Sequence, residues 1–238
     1  MDIGNYWTTD VSFVFMPEFN EQLDNYKNSI KKYKKLFFSN HIRPSKFNKS
    51  LEKSFEQLIQ LEELTFGFNF NQPLYISLSY LINLKKLTFG DNFNQPLNNS
   101  LEQLFNLEQL IFGDNFNQSI NPVNKLKKLT NLYLGLKFDQ ELYLSSNIKI
   151  LTLNCNNQNL IDMLPNTIEQ LKFDLDFNLP LDNLPNSIKK ISFSHYKYDH
   201  ELNNLPKSLE ILQLPHCSKF KINNLPTDCK IIYKNNYN

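Results

Sequence analysis

A motif that returns every 23 residues constrains this chain more than any other feature of its sequence. Leu61-Glu62-Glu63-Leu64-Thr65-Phe66-Gly67-Phe68-Asn69-Phe70-Asn71-Gln72-Pro73-Leu74 comes back from Leu84 to Leu97, and again from Leu107 to Ile120, each time 23 residues on. A fourth copy opens at Leu129, 22 residues later, with Leu132, Leu134, Gly135 and Phe138. Looser copies follow at Ile148, Ile168, Ile188 and Leu209, spaced 19, 20, 20 and 21 residues apart. Leu-Pro steps (Leu164-Pro165, Leu184-Pro185, Leu205-Pro206, Leu225-Pro226) enter the later units. Upstream, Tyr33-Lys34-Lys35-Leu36-Phe37-Phe38 and Val11-Ser12-Phe13-Val14-Phe15 keep the phase. A fixed period of this length marks a stack of supersecondary units, none able to bury its own apolar side.

The motif dictates the shape of each unit. Leu64 and Phe66 alternate, so a short strand sends both to one face. Gly67, Gly90, Gly113 and Gly135 follow the strands and are expected to let the backbone turn away. Phe70, Phe93 and Phe116 then predict an aromatic column. Asn71, Asn94 and Asn117 predict a ladder that satisfies backbone groups at the bend, which Asn20, Asn48 and Asn178 extend. Asn157 is expected to break the column in the shortest unit. The return side is expected to be helical where it reads Leu78-x-x-Leu81, and extended in the Leu-Pro units. The fold class is an α/β-type solenoid, a right-handed coil of about eleven turns. One parallel sheet lies on its concave face and short helical or extended segments on its convex side. One repeat domain, 1–238, is expected: divergent turns at 1–60 with an insertion at 39–46, clear repeats at 61–142, shorter Leu-Pro repeats at 143–233, and a polar tail at 234–238.

Composition narrows the function. A formal net charge of +1 gives no global field that would select nucleic acid or an acidic membrane. The start, Met1-Asp2-Ile3-Gly4-Asn5, is not a secretory signal, and no apolar run is long enough for a bilayer. Three cysteines (Cys155, Cys217, Cys229) make a poor disulfide framework. They point to a reducing, intracellular and cytoplasmic setting. Cys155 is expected to be a small core residue. The glycines are spread one per turn rather than clustered for phosphate, and no nucleophile elbow occurs. No enzyme, metal or cofactor is expected. His195 and His216, at equivalent places with Cys217 beside the second, read as ordinary surface histidines.

Phe-Asn-Gln-Pro-Leu after Leu-x-x-Leu-x-Phe-Gly resembles the FNIP repeat, a leucine-rich-repeat relative. Its proteins look most like those of slime-mould amoebae and of giant DNA viruses that infect amoebae. Phe70-Asn71-Gln72-Pro73-Leu74 and Phe93-Asn94-Gln95-Pro96-Leu97 are the strongest matches. The likeness is specific over 61–142 and looser over 148–214. It implies a leucine-rich-repeat-like fold and a binding module. Some such proteins look like F-box proteins, with the repeats as substrate receptor of a ubiquitin ligase, but no helical F-box-sized segment precedes the first repeat here.

In a coil of this kind the second, third and fifth strand positions face outward. The fifth reads Phe37, Thr65, Thr88, Ile111, Tyr133, Thr152, Lys172, Ser192 and Gln213. The second and third alternate in charge, as in Glu62-Glu63 and Lys85-Lys86. One reading is a solvated face neutralised across strands. The other is a protein-binding strip of Thr65, Lys85, Lys86, Thr88, Ile111, Tyr133, Thr152 and Lys172, centred on Ile111 and Tyr133. The basic stretch Lys27–Lys35, with Arg43 and Lys46, reads as solvated lysines. The insertion Ser39–Lys46 is a candidate functional loop. The expected function is a non-enzymatic scaffold binding a protein partner, with no nucleic acid or membrane. A ubiquitin-ligase receptor or a relic of repeat-family expansion are the alternatives. A degraded last unit, with Lys234 at an expected core position, makes end-to-end self-association a further expectation.

Overall fold

The computed structural model describes residues 5–38, 44–216 and 218–234. The chain groups into two compact units, Met1–Leu129 and Thr130–Asn238. Both are parallel-strand solenoids, as the period predicts.

In the first unit β1 (Tyr6–Thr8) pairs antiparallel with β2 (Ser12–Phe15). Parallel strands β3 (Lys35–Phe37), β4 (Glu63–Thr65), β5 (Lys86–Thr88) and β6 (Gln109–Ile111) follow in chain order. The register is the one the repeat demands. Leu36 faces Leu64, Leu64 faces Leu87, and Leu87 faces Leu110. The first strand, β1, was not expected from the sequence, since it precedes the repeat. Between β2 and β3 the chain makes a 3-10 turn (Leu23–Tyr26) and a short helix α1 (Lys27–Ile30).

Strands β3 to β6 are three residues long and centred on the fourth motif position. Hydrogen bonds nevertheless run beyond them. Lys85 N donates to Glu62 O before the strand, and Phe89 N donates to Ile111 O after it. On the return side Leu74, Leu78, Leu81 and Leu84 are buried, as are their equivalents Leu97, Leu101, Leu104 and Leu107. The predicted helical return is present at Ser77–Tyr80 and Asn121–Lys125 as 3-10 turns, and Leu101–Leu104 is a bare hydrogen-bonded turn.

Two aromatic columns, not one, fill the first unit. Phe47, Phe70, Phe93 and Phe116 stack at centroid distances of 5.9, 6.1 and 6.0 Å. Beside them Phe38, Phe66, Phe89 and Phe112 stack at 5.7, 5.5 and 5.6 Å. Within a turn Phe66 meets Phe70 at 4.0 Å and Phe112 meets Phe116 at 3.9 Å. Such offset pairs add about 0.5–1.5 kcal/mol each beyond burial.

The asparagine ladder is built from side chain to backbone. The N–H groups of Asn48, Asn71, Asn94 and Asn117 donate to Oδ1 of the Asn one turn earlier, at 2.9–3.0 Å. The same oxygens accept from Gln72, Gln95 and Gln118. A second ladder, absent from the sequence reading, runs from Asn115 Nδ2 to Asn92 and from Asn92 Nδ2 to Asn69.

The glycines correct an expectation. No glycine among the described residues has positive φ. A Cβ on Gly90 would collide with Gly67 O, so the residue is small because the preceding turn's backbone lies against it. The left-handed conformation is used instead at Glu52, Tyr75 and Asn98, at φ 36°, 44° and 42°. These are equivalent corners, each followed two residues on by a buried serine (Ser54, Ser77, Ser100).

The second unit has β7 (Asn131–Leu134), β8 (Ile150–Leu153), β9 (Gln170–Phe173), β10 (Lys190–Phe193), β11 (Ile211–Pro215) and β12 (Lys230–Lys234), all parallel and in order. The Leu-Pro returns at Leu184, Leu205 and Leu225 carry no helix, as expected, whereas the one into Leu164-Pro165 does. An unexpected helix α2 (Gln158–Asp162) is capped by Asn157, whose Oδ1 accepts from Leu160 N at 3.1 Å. The ladder there passes through Asn156, which accepts from Asn178 N at 2.8 Å. The place of the column phenylalanine therefore falls to Cys155, not Asn157. Cys155 is 2% exposed, and burial pushes its thiol up to about 11. In the last turn the register puts Ile231 opposite Leu212 and Tyr233 opposite Leu214. Tyr233, not Lys234, takes the register position of the core residue, and in this last turn it is 56% exposed; Lys234 lies one residue beyond it.

Candidate interaction face on the parallel strands

The inward pointing of the fourth and sixth motif positions sends the third and fifth to the other face, and the second lies just before the strand. In the first unit Phe37, Thr65, Thr88 and Ile111 form the fifth-position row and are half-buried. The charged positions beside them are mutually satisfied. Glu62 pairs with Lys34 and Lys85, both at 2.8 Å. Glu63 pairs with Lys35 at 3.1 Å and Lys86 at 3.0 Å. Hydrogen bonds from Lys34 and Lys85 hold the Glu62 carboxyl down at about 2. Burial works against ionisation of Glu63, but Lys86 and Lys35 outweigh it and leave its carboxyl below the ordinary range. Lys85 and Lys86 thus stand on the face with carboxylates already in place. Of the basic stretch and its loop, Lys27 pairs with Asp24 and Lys46 with Glu18. Residues 39–43 of the insertion, Arg43 included, lie outside the described residues.

In the second unit the fifth-position row is Tyr133, Thr152, Lys172, Ser192, Gln213 and Ile232, each opposite the next. Tyr133 lies along the sheet, and its hydroxyl donates to Asp174 Oδ2 at 2.8 Å, two strands away. The other Asp174 oxygen accepts from Leu175 N. Glu169 holds Lys149 at 3.4 Å and Lys189 at 3.7 Å. Lys172 differs. Burial, with the charges of Lys190 and Lys234, lowers its ammonium below the usual lysine range. Ser192 beside it is 7% exposed, and its hydroxyl has no hydrogen-bond partner among the described residues. Sequence reasoning placed Ser192 and Lys190 on this face but did not select them. The signal was available: after Thr152, the third and fifth positions contain lysines and no carboxylate.

Among the described residues no group of three or more His, Cys, Asp or Glu side chains could hold a metal, and no helix is long and apolar enough to cross a membrane. Cys155 and Cys229 are free thiols, and Cys217 lies outside the described residues.

The profile of the FNIP repeat matches residues 177–217. Residues 177–217 are similar to the FNIP repeat. The match opens on Phe177-Asn178-Leu179-Pro180 and takes in β10 and β11, so it falls in the shorter, looser turns. Among solved structures, CroV588, a circular leucine-rich-repeat protein of a giant virus, is 26% identical over 99% of this chain at a TM-score of 0.58. This chain spans 45% of the length of that protein. Internalin InlF of Listeria monocytogenes is 12% identical over 93% of this chain and 86% of its own, at a TM-score of 0.52, which is a likeness of fold. No curated protein matches the sequence.

Proposed function

We propose that the chain is a non-catalytic recognition scaffold that binds a protein partner through the exposed faces of its parallel strands. The row of outward side chains, one per turn, carries this reading. It offers short, rigidly spaced side chains about 4.8 Å apart on a backbone that the stacked core holds still. The rows fixed by register include Thr65, Thr88 and Ile111 with Lys85 and Lys86 in the first unit, and Tyr133, Thr152 and Lys172 in the second. A half-buried aromatic with a fixed orientation suits a hot spot, because little side-chain freedom remains to be lost on binding. Tyr133 is such a group, held by Asp174. Leucine-rich-repeat folds commonly mediate protein interaction, which supports the reading.

The test is to recover a partner on the immobilised full chain, purify it, and measure its affinity for wild type and for Tyr133→Ala. A loss of about 2 kcal/mol or more is expected, the size of a hot-spot truncation. Unchanged affinity, with thermal unfolding also unchanged, would remove Tyr133 from the contact; if Ile111→Ala is silent too, the strand-face proposal is wrong.

A further inference from the structure

We infer that the strand face of the second unit holds an oxyanion site, formed by Lys172, Lys190 and the hydroxyl of Ser192, that receives a phosphoryl or carboxylate group of an acidic peptide segment. The inference deepens the proposal above and rests on it, since it names the chemistry of the partner at one place on the face.

The first observation is an imbalance of charge. Lys34, Lys35, Lys85 and Lys86 in the first unit, and Lys149 and Lys189 in the second, each face a carboxylate within ion-pair distance. Lys172 and Lys190 face none among the described residues. Register brings the two together. Lys172 stands opposite Ser192, and Lys190 lies two residues before Ser192 on the same strand, opposite Gln170. The lysines are therefore diagonal neighbours on one face, about 7–8 Å apart at their backbones. Lys234 bears on Lys172 from β12. Third and fifth positions from β8 to β12 read Ile150, Gln170, Lys190, Ile211, Lys230 and Thr152, Lys172, Ser192, Gln213, Ile232, with no carboxylate. Nearby acids are accounted for. Glu169 holds two other lysines, both Asp174 oxygens are taken, and Glu210 makes no ion pair with either lysine among the described residues.

The second observation is independent of charge. Ser192 is more than nine-tenths buried, and its hydroxyl lacks a partner among the described residues. Ile191 and Phe193 point into the core, so alternation turns Ser192 to the exposed face, between Lys172 and Gln213. A buried hydroxyl without a partner keeps its hydrogen-bonding capacity open to a group from outside the chain, such as an ion or a ligand. Two ammonium groups and one hydroxyl are all donors. An oxyanion accepts from all three and removes the repulsion between the lysines. A carboxylate and a phosphoryl group share this chemistry; the phosphoryl group carries more charge and more acceptors. A nucleic acid fits less well, because Glu169 and Asp174 flank the site and would oppose a continuous run of phosphates.

The test is a fluorescence-anisotropy titration of the full chain with fluorescein-labelled 12-residue peptides that differ at one central position: phosphoserine, glutamate or serine. Phosphoserine is expected to bind tightest, glutamate next and serine weakest, with affinity falling as salt rises. Lys172→Gln with Lys190→Gln should weaken phosphopeptide binding about tenfold or more, and Lys172→Arg with Lys190→Arg should retain it. Ser192→Ala should weaken it by a smaller factor, and Lys125→Gln, on the return side of the first unit, should leave it unchanged. The idea is overturned if neither charged peptide exceeds the serine peptide, or if the double glutamine variant binds as wild type does. Inorganic phosphate binding as tightly as the peptide would overturn the peptide assignment, as would a labelled single-stranded oligonucleotide that outcompetes it. A partner that loses affinity with Tyr133→Ala but not with the double glutamine variant would leave the strand-face reading standing and sink the oxyanion site.

Discussion

Tyr75 is a residue in a conformation its side chain does not favour. It occupies φ 44° at the corner Leu74-Tyr75-Ile76-Ser77, where Ser77 N donates to Leu74 O at 2.9 Å. The same corner one turn later carries Asn98 at φ 42°. A left-handed conformation costs most L-residues about 1–2 kcal/mol, and asparagine tolerates it best after glycine. Tyr75 is 73% exposed, so little packing is lost on its removal. Tyr75→Asn should therefore stabilise the protein by about 0.5–1 kcal/mol. The measurement is the urea midpoint at constant slope; Tyr75→Val should move it the other way. A lower midpoint for the asparagine variant would show that the ring contributes more than its exposure suggests. Glu52 and Tyr75 also show why these corners were not legible in the sequence. Neither type signals positive φ, and the glycines that do signal it are used for close approach of neighbouring turns instead.

At the scale of strands and turns, the period and the Leu-x-x-Leu-x-Phe alternation made β3 to β6 legible, because register follows once Leu64, Leu87 and Leu110 must stack. The strand β1 and the helix α2 were not legible: β1 precedes the repeat, and α2 depends on Asn157 serving as a cap rather than as a ladder rung. The candidate site was legible in direction but not in occupancy. Lys85 and Lys172 look alike in sequence; only the neighbouring strands show that Glu62 holds the first and no carboxylate the second. That cross-strand ladder has a pH signature. The Glu62 carboxyl, ordinarily near 4.5, is held at about 2 by Lys34 and Lys85. A depressed folded-state value means its stabilisation is present above pH 4.5 and is lost as pH falls from there towards 2. Glu62→Gln should flatten the fall in melting temperature across that window, while leaving the curve above pH 6 parallel to wild type. A variant curve that keeps the full acid slope would show that the two lysines do not bias this carboxyl in solution.

For the molecule as a whole, the core is a set of columns rather than a centre. Leu64, Leu87 and Leu110 are fully buried, and Leu87 meets both the turn before it and the turn after it. Stability in such a stack is close to a sum of turn and neighbour terms. A cavity should then act locally first. Leu87→Ala is expected to cost about 2–5 kcal/mol, the range for a buried leucine whose site cannot collapse. Here collapse is resisted by Phe66 and Phe89, stacked at 5.5 Å across the same pair of turns. Its outward neighbour Thr88→Ala should stay within about 0.5 kcal/mol. Native-state hydrogen exchange reads the spread. Amides of β4, β5 and β6 should lose protection by a similar amount, because Leu64 and Leu110 each lose one side of their packing. Those of β9, β10 and β11, which belong to the other compact unit, should keep theirs. An equal loss in both sets would mean that the two units open as one, and nearest-neighbour terms would no longer describe the chain.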